Sequence, residues 1–438
     1  MSLVDLDAAA VARALCVVSE DPDDVVEAFF ERREVVETSS SPEEHGVLCR
    51  REQGLSLRLV QGRRTWLVAR DEISAGALVS ALDGVARRRS ESLLVRPPAI
   101  AVDPWPAPSV DARFIGFPRR VESRLRALHL GFPLRIRMRH HRRWIRVVGR
   151  DLTPEVEEES FFSCRVRSEW GEWGTLLPDL DKEAVRQVAD SLAASFSSRG
   201  ASPPATGPTA LLLGPSAAAT FLHEAVAHAL EVDTLAQTGD PEAAIGIVLG
   251  NETLDILDDP TSGPPGLQRD TDDEGAPVLR RWLLRPGVVE QPLADRRWAR
   301  NSTRLSSGAA RRQSRHVGPV PLSLHLELLP GSDAIDDLAR RAGSGLFAPE
   351  ASHGRLDSVS GEFSLRIPHG RRLVGGAVGE RVGSFTIRGT VRDLLGRVAG
   401  ISDHAIVSGA GWCAKGGQML PVWSTTPALL LGQVEVVA

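Results

Sequence analysis

Alternation of hydrophobic and polar residues predicts most of the secondary structure of the first 100 residues. Leucines alternate with polar residues between positions 55 and 59, which is the period of a half-buried β-strand. Strand-like segments also lie at 34–38 and 66–68, and a helical pattern precedes them. Ser74 provides a capping hydroxyl for a second helix. This part of the chain is therefore predicted to be a small α+β unit.

The middle of the chain continues with a basic strand and a helix. Apolar residues alternate with arginine at 134–139, which predicts a strand with one solvated arginine face. A basic patch for nucleic acid or for an acidic ligand, with Trp144 interleaved, is the competing interpretation. The neighbouring pair His140 and His141 is a weaker candidate, for a metal site. Residues 181–196 have the pattern of an amphipathic helix.

The last part of the chain predicts mainly strands around one central helix. A strand at 210–213 leads into an Ala- and Leu-rich helix from about Ser216 to Glu231. An acidic loop follows at 251–274. Alternating patterns and two short helical runs come after it, at 322–328, 333–341, 363–367, 391–398 and 429–437.

Two proline-rich stretches, at 96–108 and 197–208, predict domain boundaries, because proline rarely continues a helix or a sheet. They divide the chain into an N-terminal α+β domain (1–100), a middle α+β segment (105–200) and a C-terminal domain (205–438). The expected fold class is α+β, with a mostly β C-terminal domain in which the central helix is embedded. The sequence shows no internal repeat.

Composition narrows the classes of function. The net charge of −5 disfavours a general nucleic-acid binder, and lysine occurs only at 182 and 415, so a single arginine cluster carries little information. No apolar run reaches membrane-spanning length, and the N-terminus lacks the pattern of a secretory signal. The four cysteines lie far apart, which indicates free thiols in a reducing compartment. We therefore expect a cytoplasmic protein with no nucleic-acid and no membrane partner.

Two further motifs lack the context that their chemistry requires. A loose dinucleotide-binding pattern at 343–348 follows a helical run instead of a strand, so Gly343 is interpreted as a helix C-cap. The acidic run at 270–275 resembles the start of a calcium loop, but Arg281 occupies the position of the bidentate glutamate. This run is predicted to be a solvated acidic loop.

Ser216 lies between a strand and the central helix, where an α/β-hydrolase places its nucleophile. The second glycine of that motif is Ala218 in this chain. A serine hydrolase that uses Ser216 is therefore a weaker alternative. Ser216 is instead predicted to be the N-cap of the central helix, where its hydroxyl oxygen accepts a hydrogen bond from a free backbone N–H of the first turn.

The central helix carries His223 and His228, with Glu224 directly after the first histidine. Zinc peptidases usually space their helical histidines four residues apart, about 40° around the helix. A spacing of five residues separates the two rings by about 140° on an ideal helix. Both imidazoles can face one metal ion only if the helix is locally widened, as in a π-bulge. Two ordinary helix histidines, one buried and one solvated, are the alternative.

A catalytic metal centre of this kind needs a third protein ligand. Cys413 is the best candidate, since its glycine-rich segment at 408–418 can approach another backbone closely, although a buried and inert thiol is the alternative. Two imidazoles and a thiolate leave a fourth position open, as in catalytic zinc sites. Glu224 could then take a proton from water. Glu231 and Asp233 are reserve ligands, although orienting the imidazoles is the favoured role for both.

Together these residues resemble the TldD/PmbA family of zinc metallopeptidases. The run His-Glu-Ala-Val-Ala-His-Ala-Leu-Glu-Val-Asp at 223–233 is similar to the family's metal-binding motif, and 411–422 is similar to its cysteine segment. The resemblance also touches three shorter stretches, at 272–275, 311–314 and 356–363. It implies one zinc ion per active subunit, with Glu224 as the general base and three metal ligands, His223, His228 and Cys413.

The resemblance also implies substrates and partners. Extended, unstructured peptides would be the substrates, in some systems the precursors of peptide natural products. Arg311, Arg312 and Ser314 would contact the substrate. The protein would act as a homodimer, or as a heterodimer with an inactive TldE/PmbA-like paralogue. Because this chain retains the metal motif, it resembles the active type of subunit.

The chain departs from the family pattern at several positions. Three family glycines of the metal motif are Ala227, Ala229 and Val232, which leaves the helix less freedom where widening is needed. Arg315 replaces the usual tyrosine, and Pro-Leu-Ser-Leu-His at 321–325 replaces Pro-Arg-Met-Thr-Asn. The expected function is zinc-dependent hydrolysis of linear peptides. A non-catalytic peptide-binding partner subunit on the same scaffold is the alternative.

Overall fold

The computed structural model contains two large β-sheets with helices packed on them, and the C-terminal half is mostly strand. The predicted α+β class is therefore confirmed. In the described ranges, every helix is too short or too polar to span a membrane. The residues that the structure describes are 5–40, 45–88, 99–101, 104–105, 107, 110–130, 133–152, 155–169 and 171–438.

The N-terminal sheet is antiparallel and its helices lie on one face. The sheet consists of six strands, β2 (Val25–Ser40), β3 (His45–Gln61), β4 (Arg64–Arg70), β6 (Arg135–Gly149), β7 (Glu157–Ser168) and β8 (Gly171–Leu177). Two short strands, β1 (Asp5–Leu6) and β5 (Ile100–Ala101), form a separate pair. The helices are α1 (Ala8–Cys16), α2 (Ala75–Arg88), α3 (Ala112–Ala127) and α4 (Lys182–Ser197). The six long strands are ordered β4-β3-β2-β6-β7-β8.

Two units of the same topology build this sheet, although the sequence shows no repeat. Each unit is a helix, three antiparallel strands and a second helix, first α1-β2-β3-β4-α2 and then α3-β6-β7-β8-α4. Their first strands, β2 and β6, pair antiparallel at the centre, so the strand order is mirrored around that pair. One helix pair covers each half of the sheet. Many apolar sequences satisfy the same burial pattern, which explains why the repetition is visible only in the topology.

The predicted boundary near residue 100 lies between these two units. Strands from both units nevertheless share one sheet, with β2 paired to β6 over 14 residue pairs. Most of the proline-rich stretch 96–108 lies outside the described residues. The division into three domains stays a prediction.

Strand β3 is buried on both faces, not on one face as its alternating sequence predicts. Leu55, Leu57 and Leu59 pack against the helices, and Ser56 and Arg58 on the opposite face are buried as well. The polar face is covered because the C-terminal half of the chain packs on it. The prediction of a half-buried strand is therefore wrong, since a sequence pattern does not show what covers a polar face.

The C-terminal half is one large, irregular sheet wrapped around the central helix. Its helices are α5 (Pro215–Leu222), α6 (Val232–Leu235), α7 (Arg296–Ala299), α8 (Ile335–Ala342) and α9 (Val391–Gly396). Its strands are β9 (Gly207–Leu213), β10 (Ile256–Asp258), β11 (Arg281–Leu284), β12 (Ala310–Arg311), β13 (Val320–Pro321), β14 (His325–Leu328), β15 (Gly345–Ala348), β16 (His353–Leu356), β17 (Glu362–Ile367), β18 (Gly370–Val374), β19 (Ala377–Val382), β20 (Phe385–Thr390), β21 (Val398–Lys415) and β22 (Gln418–Val437).

The central path of this sheet is β11-β10-β14-β22-β9-β15-β18-β19, while β12 and β13 form a separate pair. Strand β22 also pairs with β20 and β21. Helix α5 lies in the main core of this half, where Phe221 and Leu222 are fully buried against strand leucines. Each large apolar side chain buried in this way stabilises the fold by about 1.5–3 kcal/mol, which holds the helix in place.

Helix α5 begins at Pro215, one residue before the expected start near Ser216. Gly214 occupies the N-cap position and Pro215 lies in the first turn, so the prediction of Ser216 as the N-cap is wrong. Proline is well suited to the first helical position, because its fixed φ matches the helix and it has no N–H to satisfy. At the end of α8, Gly343 has a φ of +63°, which confirms it as a C-cap.

Buried ion pairs join the N-terminal sheet to the C-terminal half. Arg312 pairs with Glu27 of β2, and Arg143 of β6 pairs with Asp273 at 3.1 Å. All four side chains are nearly inaccessible to solvent. Removing an ion from water costs several kcal/mol, so these charges are tolerated only because each has a partner of opposite sign. The contact between the two halves is thus specified by charge as well as by packing.

The acidic run at 270–275 is part of this interface, and the prediction of a solvated loop is wrong. Asp272, Asp273 and Glu274 are fully buried. Burial would raise the pKa of Asp273, but Arg143 and Arg269 outweigh burial and lower it. Burial and the neighbouring Glu274 raise the pKa of Asp272 to about 8. The arginines that neutralise this run are distant in the sequence, so the sequence pattern could not reveal them.

Replacing Arg312 with methionine tests the interface. The change leaves Glu27 short of a counter-charge in a buried position, so we expect the free energy of unfolding to fall by about 3–5 kcal/mol. Urea unfolding followed by tryptophan fluorescence measures the loss. Arg87, whose side chain is 79% exposed on α2, gives the matched control variant Arg87→Met, with an expected change within about 0.5 kcal/mol. Equal stability of the two variants would contradict the assignment.

Candidate active site

The central helix changes its hydrogen-bond pattern at the two histidines. Residues His223–Ala227 form a π turn, in which the His228 N–H donates to the carbonyl oxygen of His223, five residues earlier. A 3-10 turn, His228–Leu230, follows directly. The widening that the histidine spacing requires is therefore present. Ala227 adopts ordinary helical angles, φ −60° and ψ −53°, so the turn does not need the family's glycine there.

Widening brings the two imidazole rings together. The ring centroids of His223 and His228 are 4.6 Å apart and the rings are nearly perpendicular, at 67°. Helix α5 anchors the turn on one side, since Phe221 and Leu222 are fixed in the core. The main-chain bond between His223 and His228 thus decides the relative position of the two side chains.

Cys413 reaches the histidines from strand β21, near the hairpin that joins β21 to β22. The sequence predicts a glycine-rich loop here, but the chain is a strand whose pairing with β22 is irregular at Gly409 and Gly411. The hairpin turn has Gly416 and Gly417 at positive φ, the region that glycine alone adopts without strain. Cys413 lies close to the central helix, with its Sγ 3.3 Å from Nε2 of His228.

His223, His228 and Cys413 fit a metal ion by two observations. Their donor atoms all lie within 4.8 Å of one another. Ligand atoms around one tetrahedral zinc ion are separated by roughly 3.3–3.8 Å, given the usual bond lengths, so small side-chain shifts suffice. In addition, Nε2 of His223 is buried and has no hydrogen-bond partner in the described structure. A buried nitrogen without a partner is costly, and a bound cation would satisfy it.

A chain of charged groups behind His228 holds its ring. Nδ1 of His228 lies 2.9 Å from the Glu231 carboxylate, which in turn lies 2.6 Å from Nζ of Lys415. Lys415 also donates to Asp233 at 2.8 Å and to the carbonyl oxygen of Pro321. When Nδ1–H donates to Glu231, Nε2 is the ring nitrogen that faces Cys413 and the one that a metal ion would take. The expectation that Glu231 supports an imidazole agrees with this contact, whereas Asp233 acts on Lys415.

Lys415 was not predicted from the sequence. Its rarity was a usable signal, because it is one of two lysines in a chain that otherwise uses arginine. A compact ammonium reaches three acceptors in a narrow space that a planar guanidinium would not fit. Burial would lower the pKa of Lys415, but Glu231 and Asp233 raise it, so the group stays charged.

The electrostatics differ between the two histidines. Burial lowers the pKa of His223 to about 3, so this imidazole is neutral and can donate its lone pair. Burial also acts on His228, but the carboxylate of Glu231 outweighs it and raises the pKa. A cation at Nε2 of His228 would replace the proton as the positive charge that Glu231 stabilises.

Glu224 lies beside His223, His228 and Cys413, which we call the metal trio, and it faces a cleft. Burial raises the pKa of its carboxyl group, as expected for a general base in a partly desolvated site. The carboxylate side chain lies against Gly354 of β16, where a methyl group would come within 2.6 Å of Glu224 Cγ. Gly354, which the sequence did not single out, therefore provides the space in which Glu224 lies.

The cleft has a volume of about 660 Å³ and runs between the N-terminal sheet and the C-terminal half. Its lining includes His223, Glu224 and Cys413, together with His353. The N-terminal sheet forms the facing wall through arginines of β6 and β7. The cleft is thus large enough for several residues of a peptide, and it places them next to the metal trio.

The predicted substrate contacts lie elsewhere. Arg312 is fully buried against Glu27, and Arg311 lies 3.5 Å from Glu159 of β7. Neither residue, nor Ser314, is among the described residues that line the cleft at Glu224. The structure places both arginines in the interface between the two halves. Their role as substrate contacts stays a prediction, and the observed contacts support a structural role.

Two other sequence candidates have ordinary surroundings. His140 and His141 face opposite sides of β6, where each ring stacks on a phenylalanine and contacts a serine hydroxyl. They therefore do not converge on one ion. Ser216 lines the cleft, but no hydrogen bond in the described part of the chain joins its hydroxyl to a histidine.

Comparison with known proteins finds similarity to metallopeptidases. The model of the PmbA/TldA metallopeptidase C-terminal domain matches residues 206–438. A "Metalloprotease TldD homolog" from Haemophilus influenzae is 28% identical over 257 residues, 58% of this chain and 52% of that protein. A "Metalloprotease" from Methanothermobacter thermautotrophicus is 31% identical over 52% of this chain and 50% of its own length.

The chain belongs to the TldD/PmbA family. It spans about half the length of the metalloproteases that it matches. The crystal structure of TldE from Thermococcus kodakarensis has the same fold, with a TM-score of 0.74 over 98% of this chain and 100% of that chain, at 16% identity. The N-terminal half, which the family model does not cover, therefore shares the fold of that protein as well.

Metal content tests the site directly. We expect purified protein to bind one equivalent of zinc, and Cys413→Ala to lose most of it, because two imidazoles alone bind zinc much more weakly than three ligands. Inductively coupled plasma mass spectrometry on dialysed protein measures the ratio. Cys16, an exposed cysteine on α1, provides the control Cys16→Ala. Unchanged zinc content in Cys413→Ala would show that the cysteine is not a ligand.

Proposed function

We propose that the protein is a zinc-dependent peptidase that hydrolyses linear peptides in the cleft. The observation that carries the proposal is the π turn, which brings His223 and His228 within reach of Cys413 and leaves Glu224 at the cleft surface. Membership of a metallopeptidase family supports a metal, and the donor set of two nitrogens and a thiolate suits zinc.

His223, His228 and Cys413 would hold the ion. A zinc ion bound there supplies a Lewis acid that acidifies water and polarises a carbonyl group. Glu231 fixes the ring of His228 through Nδ1, and Lys415 keeps Glu231 in place. These contacts hold the ligands in position before substrate arrives, which limits reorganisation during the reaction.

Glu224 accepts the proton of the attacking water and passes it to the leaving amine. Its raised pKa favours both steps, because a base with a pKa nearer to neutrality accepts and releases a proton readily. The wall of β16 excludes solvent from one side of the carboxylate, since Gly354 lies directly against it. Glu224 is thus oriented toward the cleft, where a peptide bond would lie.

The shape of the cleft supports extended peptides as substrates. In the described part of the chain, β16 pairs with one strand only, β17. His353 of β16 and the preceding residue, Ser352, line the cleft. An extended main chain can hydrogen-bond along a strand edge of this kind. A folded protein segment would not enter, so unstructured peptides, among them precursors of peptide natural products, are the proposed class.

Assembly and location complete the proposal. We propose a dimer, formed with a second copy or with a TldE/PmbA-like paralogue, since the fold matches that of TldE. The four cysteines are free, and Cys413 must stay reduced to bind a metal, which supports the cytoplasm as the site of action. A non-catalytic partner subunit is disfavoured, because such a subunit has no need for three converging metal ligands and a base.

Glu224→Gln tests the mechanism. The amide cannot accept a proton, so we expect kcat for a fluorescence-quenched peptide to fall by about 10²–10⁴-fold while zinc content stays unchanged. Activity that survives the substitution would rule out Glu224 as the base. Inhibition of the unmodified enzyme by a serine-directed reagent, with no effect of a chelator, would assign the activity to Ser216 instead.

Gly354→Ala tests the placement of Glu224. Gly354 has no positive φ, so alanine fits the backbone, but its methyl group would push against the glutamate side chain. We expect kcat to fall by about tenfold or more, since small displacements of a catalytic group are costly, with zinc content retained. Gly239 has no atom near its missing Cβ and no positive φ, which makes Gly239→Ala the control. Full activity of Gly354→Ala would refute the role.

A further inference from the structure

The face of the N-terminal sheet that opens into the cleft carries an unusual density of arginine. Successive residues of a strand point to opposite faces, so Arg135, Arg137 and Arg139 of β6 share one face. In the register of β6 with β7, Arg167 is opposite Arg135 and Arg165 is opposite Arg137. Five arginines therefore form a grid on one face of two neighbouring strands.

The same face connects this grid to the metal trio. Along β6, His141 follows Arg139 on the same face, and its ring contacts Trp412 at a centroid distance of 5.5 Å. Trp412 directly precedes the metal-ligand candidate Cys413. The same face of β6 thus carries His141, which contacts Trp412, and the arginines that line the cleft.

Three members of the grid line the cleft itself, together with Glu224 and His223. We call Arg137, Arg139 and Arg165 the arginine wall. Their side chains are 42%, 34% and 60% exposed, so they can reach a ligand. In the register of β7 with β8, the residue opposite Arg165 is Gly174, and the absence of a side chain there widens the approach to this arginine.

The positive charge of the grid is only partly neutralised. Glu37 contacts Arg139 at 2.7 Å and Arg137 at 3.3 Å. The second carboxylate, Glu172, contacts Arg165 at 3.0 Å and also Arg167. Two carboxylates against five arginines leave an excess of three positive charges within the grid, in a protein whose net charge is −5. The cleft lining also includes the carboxyl groups of Glu224 and Glu350, and Glu350 lies 2.9 Å from His369.

We propose that the arginine wall selects peptides with acidic side chains, so that the substrate of the cleft is a linear peptide rich in glutamate or aspartate. The inference rests on the proposed peptidase function, because it assigns a substrate class to the same cleft. Arginine suits this task, since its planar guanidinium forms paired hydrogen bonds with a carboxylate. An extended peptide would present alternate side chains to the wall and its main chain to β16.

Nucleic acid is the less favoured ligand for the wall. Phosphate backbones are bound by continuous basic surfaces, whereas two carboxylates interrupt this one. The wall also shares its cleft with a metal trio and a general base, which act on a substrate that is held within reach. A short peptide with separated negative charges fits both features.

The test compares a fluorescence-quenched linear peptide that carries glutamate at every second position with its twin that carries glutamine there. We expect kcat/KM to be about tenfold higher for the glutamate peptide, and this preference to decline as sodium chloride is added. In the double variant Arg137→Gln/Arg165→Gln, the ratio of the two kcat/KM values should fall toward one. Arg87→Gln, exposed on α2, is the control that should keep the ratio.

Binding separates this inference from the proposed chemistry. Fluorescence anisotropy of the two labelled peptides with the Glu224→Gln protein measures their affinity for the cleft without hydrolysis. The glutamate peptide should bind about tenfold more tightly. Tighter binding of the glutamate peptide, with no cleavage by the unmodified enzyme, would overturn the peptidase function. The arginine wall would then still be assigned as a binding site for acidic peptides. Equal binding or equal cleavage of the two peptides would overturn the wall. Tighter binding of a single-stranded oligonucleotide would also overturn it and assign the wall to nucleic acid.

Discussion

One main-chain hydrogen bond, from the N–H of His228 to the carbonyl oxygen of His223, sets the relative position of the two histidines that are candidate metal ligands. An ideal helix separates residues five apart by about 140°, so regular bonding would turn the two rings away from each other. The π turn removes that separation and sets the ring centroids 4.6 Å apart. Such a turn is held by packing, and the buried residues of α5 before it provide that packing.

The remaining parts of the site depend on this turn. Cys413 lies on β21, a long strand whose pairing with β22 is irregular at its glycines. Its Sγ is 3.3 Å from Nε2 of His228. Lys415, two residues later, neutralises the Glu231 carboxylate that orients His228. The β21–β22 hairpin therefore supplies the candidate ligand Cys413 and also Lys415, whose charge stabilises the carboxylate that orients His228. The metal trio and its supports form a single unit between two elements that are about 185 residues apart.

Charge also shapes the contact between the two halves of the molecule. The N-terminal sheet contributes arginines to a buried network with Asp273 and Glu274, and the same sheet face continues outward as the arginine wall. In the interior, the arginines have carboxylate partners from the C-terminal half. In the cleft, they have fewer partners than charges. A single strand face thus holds the halves together at one end and offers positive charge to a ligand at the other.

The sequence by itself determined the fold class, the position of several strands and helices, and the identity of His223, Glu224, His228 and Cys413 as candidates, because periodicity and rare chemical groups are local properties. The π turn was predicted as a requirement, since the spacing allows no other way for both imidazoles to meet. Only the tertiary structure decided that β3 and the acidic run are buried, that Arg312 serves an interface, and that Gly354 and Lys415 support the site. These outcomes depend on which distant residues cover a face or neutralise a charge, and such pairings have no signature in a local pattern.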